Sequence, residues 1–232
     1  GSRSTLQLHN AHMVEEFSRY KKPLILVVGS GRPISYQTLE PKVDAIIHIW
    51  QPGVEAGNAL AKLIFGLENF SGKLAMTFPR TVGQVPIYYN KHQSARVGNG
   101  SWSGLYQDIE SSPMYWFGHG LSYTSFKYDD LSMDEINMIA SVKITNTGNR
   151  LGKETVLWYI SDPEASITQP IKKLKHFEKI ELKPNESKVV KFEIDKTSHL
   201  SYVDQNGNII FEPGDFKVNV GSLVKSFNVS DG

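Results

Sequence analysis

A chain of 232 residues, 40% of them hydrophobic, is long enough for one large domain or two small ones with cores of their own. A formal net charge of +1 removes any electrostatic case for nucleic acid or an anionic membrane, and no apolar run approaches the roughly 20 residues of a spanning helix. Cysteine is absent, which excludes disulfides and thiolate metal sites but leaves the compartment open.

The chain opens Gly1-Ser2-Arg3-Ser4, with no Met, and reads as an expression product or a processed fragment; the lack of a leader therefore says nothing of a parent protein. Asn10 is placed to cap a helix running to Tyr20, with Met13, Val14 and Phe17 on its apolar side, and Lys21-Lys22-Pro23 ends it. Leu24 to Val28 reads as a short buried strand, followed by the turn Gly29-Ser30-Gly31. Asp44 to Trp50 is apolar except for His48, the pattern of a strand covered on both faces in a parallel sheet. Gln51-Pro52-Gly53 stops it. A helix follows over Glu55 to Phe65, with Ala56, Ala59, Leu60, Leu63 and Ile64 on one face and Gly66 as its C-terminal stop. Leu74, Met76 and Phe78 alternate with polar or small residues and suit a third strand. Alternating strands and helices of this kind predict an α/β unit, a partial parallel α/β/α sandwich with about three strands.

Residues 81–122 lack clear periodicity and are rich in Gly, Ser, Asn and aromatics, which argues for an ordered functional or packing loop rather than disorder. From Phe126 the period becomes two. Strands are predicted around Ala140–Ile144, Thr155–Ile160, Lys175–Leu182, Val190–Ile194, Leu200–Val203 with Asn208–Phe211, Phe216–Val220 and Phe227–Val229. Seven or so short strands separated by turn signals predict an all-β sandwich of fibronectin III or immunoglobulin type, and the missing Cys-Trp-Cys framework favours the fibronectin-like variant. The predicted division is residues 1–89, α/β; 90–122, interdomain loop; 123–232, sandwich.

The block from Trp50 to Asn90, WxPGxExGNAxAxxxFGxxNxSGKLxxTFPRxxGQxPxYYN, resembles the C-terminal half of family 3 glycoside hydrolases, the β-glucosidase and β-xylosidase family. FGHGLSYTSFKY, from Phe117 to Tyr128, resembles that family's junction motif, and VKITNTGNRLGKETVLWYISD and FEPGDFKVNVG resemble its sandwich strands, so the likeness covers essentially the whole chain. The resemblance implies a retaining, exo-acting glycosidase that needs no cofactor, acts on an oligosaccharide or β-glucoside, and works in the periplasm or after secretion. It also implies an aspartate nucleophile on an upstream barrel and an acid/base glutamate just ahead of Gly1. On that register no residue of this chain is catalytic. Two departures stand out: His9 replaces the family's usual Pro, and Leu105 stands where relatives often carry Arg before Tyr.

Retaining glycoside hydrolysis needs two carboxyl groups about 5 Å apart. Asp108 and Glu110 in the long loop, and Asp44 and Glu55 around the second strand, are alternatively solvated loop acids or helix N-terminal charges. The sugar-facing candidates are Arg96, Trp102 and Tyr106, with Tyr88 and Tyr89, because rings stack on sugar faces while phenol and guanidinium groups bond hydroxyls; interdomain packing is the competing role. GSGRP lacks the Lys-Ser/Thr ending of a phosphate loop and reads as a turn. Gly53 and Gly57 either free a helix N-terminus for a ligand oxygen or allow close backbone packing. His9 and His12 share a helix face without an evident third metal ligand, His48 reads as a hydrogen-bonded core residue, and sequons occur at Asn69, Asn99, Asn185 and Asn228. A carbohydrate-binding or purely structural module is the alternative function. A short parallel sheet also leaves an unpaired edge, so self-association through that edge is expected.

Overall fold

The computed structural model describes residue 8 and residues 10–92 and 108–230. They divide into two compact units. The first takes in the chain up to Glu68, Leu74–Tyr89 and residues 108–119; the second takes in Asn69–Lys73, residues 90–92 and the chain from Gly120 onward.

In the first unit, helix α1 spans Ala11–Ser18, strand β1 Ile25–Gly29, strand β2 Ala45–Trp50 and helix α2 Ala56–Ile64. Asn10 sits at the N-cap of α1, but its side chain makes no capping bond; its carbonyl accepts from the Met13 amide at 3.0 Å instead. β1 and β2 pair in parallel from Ile25↔Ala45 to Val28↔His48 and then slip, so that Gly29 faces Trp50. Trp50 takes a left-handed φ of 51°, uncommon for a bulky side chain, and its ring lies edge-on to Phe78 and His48. Gly66, at φ 70°, ends α2 in the left-handed turn that glycine tolerates at no steric cost.

The third parallel strand does not form. Leu74 and Phe78 instead bond an antiparallel partner late in the chain: the Leu74 amide donates to the His119 carbonyl at 2.7 Å, and the Phe78 amide to the Tyr115 carbonyl at 2.8 Å. Thr77, between them, uses its hydroxyl to accept the Phe117 amide at 3.3 Å. Among the described residues the parallel sheet therefore has two strands. Its core is Val14, Val28, Ile34, Tyr36, Leu39 and Phe78.

The second unit contains two facing antiparallel sheets. β3 (Phe126–Asp134), β4 (Ile139–Asn146) and β7 (Ser187–Glu193) form one, in the order β3-β4-β7. β5 (Gly152–Ser161), β6 (Lys173–Leu182), β10 (Gly214–Val220) and β11 (Leu223–Val229) form the other, in the order β11-β10-β5-β6. A two-residue ribbon, β8 (Tyr202–Val203) with β9 (Ile209–Ile210), completes the set. The period-two alternation places Val142, Ile144, Val156, Trp158, Val190, Phe192, Val218, Val220 and Phe227 in one shared core. The seven strands of the two sheets match the fibronectin-like expectation; they include β3, which was not expected, while the expected 200–203 and 208–211 pair stands apart as the β8–β9 ribbon. The alternation of β3 is interrupted at a bulge between Asp129 and Ser132, where Asp130 takes a φ of 53°.

One buried side chain locks the β4–β5 turn. The Asn146 oxygen accepts from the Thr124 hydroxyl at 2.6 Å and the Gly148 amide at 3.1 Å; its amide donates to the Arg150 carbonyl at 2.7 Å and the Leu182 carbonyl at 2.9 Å. Gly148 itself is packed so closely that a Cβ there would collide with Thr124. Asn69 has a comparable role nearby: its side chain donates to the Leu151 carbonyl and accepts from Ser122 and the Tyr123 amide.

Candidate functional site

Arg96, Trp102 and Tyr106 lie outside the described residues, as does His9. The structure describes the two ends of the segment that carries the three sugar-facing candidates, and the carboxyl ends of β1 and β2, where open α/β sheets place their ligands.

The outgoing end is attached to the sandwich. The Ile171 amide donates to the Lys91 carbonyl at 3.0 Å, His92 pairs with Pro170 in an antiparallel bridge, and His92 Nδ1 lies 3.0 Å from the Thr168 carbonyl oxygen. The returning end is clamped inside the α/β unit by Arg80 and Gln84. Arg80 Nε donates to the Ser112 carbonyl at 3.0 Å, and its Nη2 reaches Glu110 Oε2 at 2.7 Å. Gln84, buried, donates through Nε2 to the carbonyls of Glu110 at 2.9 Å and Ser112 at 3.2 Å, while its Oε1 accepts the Arg80 amide at 2.6 Å. Ser35 donates to the Arg80 carbonyl, and the Ser112 hydroxyl to Glu110. A planar guanidinium suits this task because it bonds a carbonyl and a carboxylate in one fixed fork. The TFPRxxGQ block is therefore a fastening for the loop's return, a role that residue type alone did not reveal.

At the strand ends, the Tyr36 hydroxyl lies 2.7 Å from His48 Nδ1. His48 Nε2 is buried without a hydrogen-bond partner. Burial holds the His48 imidazole below its ordinary pKa, with the Ser30 backbone opposing the shift. The expected core histidine is thus bonded to the Tyr36 hydroxyl. Beside it, the Tyr115 hydroxyl donates to Glu40 Oε1 at 2.6 Å; burial first, and then Glu40, push that phenol above its ordinary range. Tyr89 stacks on Phe117 with centroids 4.6 Å apart, a packing role, whereas Tyr88 is exposed.

Three of the four acids weighed from sequence have other partners. Glu110 is bound to Arg80, Asp44 accepts the Leu24 amide at 2.8 Å, and Glu55 accepts from Asn58 at 3.2 Å. The GSGRP turn closes on itself, the Arg32 amide donating to the Ser30 hydroxyl at 3.3 Å and that hydroxyl to the Arg32 carbonyl at 2.9 Å. Close packing does not account for Gly53 and Gly57: a Cβ at either would meet nothing within 4 Å.

The described residues thus form a parallel α/β unit and a fibronectin-type sandwich, and the two ends of the aromatic-rich segment are fastened, one in each unit. Residues 1–123 match the glycosyl hydrolase family 3 C-terminal domain, and residues 154–224 match the fibronectin type III-like domain. The chain belongs to glycosyl hydrolase family 3. It is 42% identical to the periplasmic beta-glucosidase of Salmonella typhimurium over 91% of this chain and 28% of that protein. It is 38% identical to a beta-xylosidase of Formosa agariphila over 97% of this chain and 32% of that protein. Among solved structures, the beta-glucosidase of Listeria innocua in complex with isofagomine superposes with a TM-score of 0.89 at 34% identity, covering 99% of this chain and 34% of that one. The chain thus spans about a third of the length of the relatives it matches.

Proposed function

We propose that this chain is the C-terminal portion of a retaining, exo-acting β-glucosidase-type hydrolase of O-glycosyl bonds, and that neither reacting carboxylate comes from its residues. The nucleophile and the acid/base would then be supplied by the other two thirds of such an enzyme. The present units would fasten and present the loop bearing Arg96, Trp102 and Tyr106 on the side of the leaving group.

The observation behind this reading is the combination of near-complete similarity along this chain with the prior engagement of its acids. Three of the four carboxylates weighed for catalysis are bonded to an arginine, an amide or an asparagine. Carboxylates already engaged in such bonds are not free to serve as the nucleophile and proton donor, which must flank a glycosidic bond about 5 Å apart. A periplasmic or secreted setting is part of the proposal and rests on the likeness to the periplasmic beta-glucosidase of Salmonella typhimurium.

Self-association is proposed as well. An apolar groove of about 400 Å³ runs along β1, lined by Met13, Val14, Phe17, Leu24 and Leu26. No described strand pairs with the outer edge of β1. The test is one preparation of the chain examined two ways. An aryl β-glucoside should show no hydrolysis above a heat-denatured control, and light scattering should show a species larger than the monomer. Turnover that survives replacement of Asp108 and Glu110 by Asn and Gln would overturn the catalytic part. A monodisperse monomer would overturn the association part.

A further inference from the structure

The open edge of the sandwich at β6 carries a cluster that the glycosidase reading does not use. Along β5 and β6 the ladder runs Trp158↔His176 and then Tyr159↔Leu174, leaving Lys175 as the extra residue of a bulge. Its ammonium donates to the Ser198 carbonyl at 3.1 Å, in the tight π-turn Lys196–Leu200. Lys173, two residues earlier, donates to Gln169 Oε1 at 2.7 Å. In the turn, the Asp195 amide donates to His199 Nδ1 at 2.9 Å, so a neutral His199 carries its proton on Nε2 and is a donor there.

Lys173, Lys175 and His199 line one small cavity of about 20 Å³ together with Asp162, Gln169 and Ser201. Its polar character is lopsided. Each ammonium has three donors and spends one in the bonds above. Neither lysine is a partner in the described salt bridges. The one carboxylate in the wall, Asp162, is turned onto the backbone amides of Glu164 and Ala165, and the Ser201 hydroxyl donates to the Lys196 carbonyl. Burial holds both amines below the ordinary lysine range; the Lys173 charge lowers Lys175 further, and the Asp162 carboxylate partly offsets the shift at Lys173. Such a cavity presents surplus N–H donors and positive charge with few acceptors. A water molecule would bring two more donors of its own; an anion brings acceptors only, and the charge the site lacks.

We propose that this cavity binds one small monovalent anion of halide size, held by Lys173, Lys175 and His199. The volume admits a single atom of about the size of water, so a sulfate or a sugar carboxylate could insert one oxygen at most. Pro170 lines the same cavity and bridges to His92. The bound anion therefore braces the 168–171 segment to which the outgoing end of the aromatic loop is fastened.

The test uses the whole chain. Crystals grown without chloride and soaked in bromide should show an anomalous peak among Lys173 Nζ, Lys175 Nζ and His199 Nε2. In solution, chloride titrated against gluconate at constant ionic strength should raise the melting temperature saturably. The rise in the sandwich's transition should be roughly 6 °C at ten times the dissociation constant, and absent in Lys175→Met but unchanged in the remote Lys225→Met. Absence of the peak, or a chloride response that gluconate or sulfate reproduces or Lys175→Met retains, would overturn the proposal. Should Lys175→Met fail to fold, the bromide peak in the unaltered protein decides the matter.

Discussion

The two units of this chain close their cores to very different degrees. The sandwich buries seventeen hydrophobic residues in one cluster drawn from both of its sheets. Among the described residues the α/β unit buries six, and its helix α2 contributes none of them. Around that helix Val54, Phe65 and Leu67 stand fully or largely exposed. A sandwich needs only its two sheets to become a closed layer pair, whereas a parallel sheet must be covered on both faces and flanked at both edges. Two parallel strands meet neither condition. The difference teaches which unit stands on its own packing and which one borrows stability from whatever lies against it.

The sharpest way to break the comparison is to damage the stronger unit. Trp158 is completely buried, so Trp158→Ala should cost about 3–5 kcal/mol. In the unaltered chain, urea unfolding should show two transitions, the α/β unit melting first. The two should be separable because hydrogen exchange reports each unit by its own amides. In Trp158→Ala the order should collapse into overlapping transitions. A single cooperative transition in the unaltered chain would mean that the units share their stability, and the contrast drawn here would fail.

A smaller effect is expected where the α/β unit fastens its loop. Arg80→Met removes the bonds to the Ser112 carbonyl and Glu110 and should cost about 1–2 kcal/mol, confined to the first transition. Proteolysis should quicken at residues 108–115 and stay unchanged within the sandwich strands. Gln84→Ala should act in the same direction, since it removes the donor to the Glu110 carbonyl and leaves the Ser112 carbonyl to Arg80 alone. An Arg80→Met chain with native protection over 108–115 would show that the guanidinium is not the clasp.

Much of this contrast can be read in the chain itself, for reasons that differ by region. In the sandwich, inward and outward residues alternate along β4, β5 and β10, because each strand has one wet face, and alternation marks such strands in any sequence. β3 is the exception: the Asp129-Asp130 bulge swaps faces midway, so its alternation breaks. In the α/β unit the strand-turn-helix around β2 was legible from its apolar run, broken only by His48, and the Gly66 stop. The segment from Leu74 to Phe78 was misread as a third parallel strand, because its alternation is real but its partner lies some forty residues away, at Tyr115 and His119. Arg80 and Gln84 were visible as a motif but not as a clamp, since their partners are mainly backbone carbonyls, which no side-chain pattern reveals. The sugar-facing residues Arg96, Trp102 and Tyr106 remain a reading from residue type and resemblance.

The smallest expected effect follows pH, and it separates the units once more. Burial lowers the pKa of His48 in the α/β unit and of His199 in the sandwich. An unfolded histidine takes its proton near pH 6.5, while these two folded ones take it only at lower pH. Between those points the unfolded chain holds more protons, so stability is fully present above about pH 6.5 and falls as the solution is acidified through the folded values. Both transitions should therefore move to lower urea between about pH 6.5 and 5, and hold steady from 7 to 8. His48→Gln should flatten the first transition's response alone, because Gln can still bond the Tyr36 hydroxyl without gaining a charge. His199→Gln should flatten only the second. If either substitution flattened both, the proton would be acting on a cooperative whole, and the independence inferred from the two unequal cores would have to be abandoned.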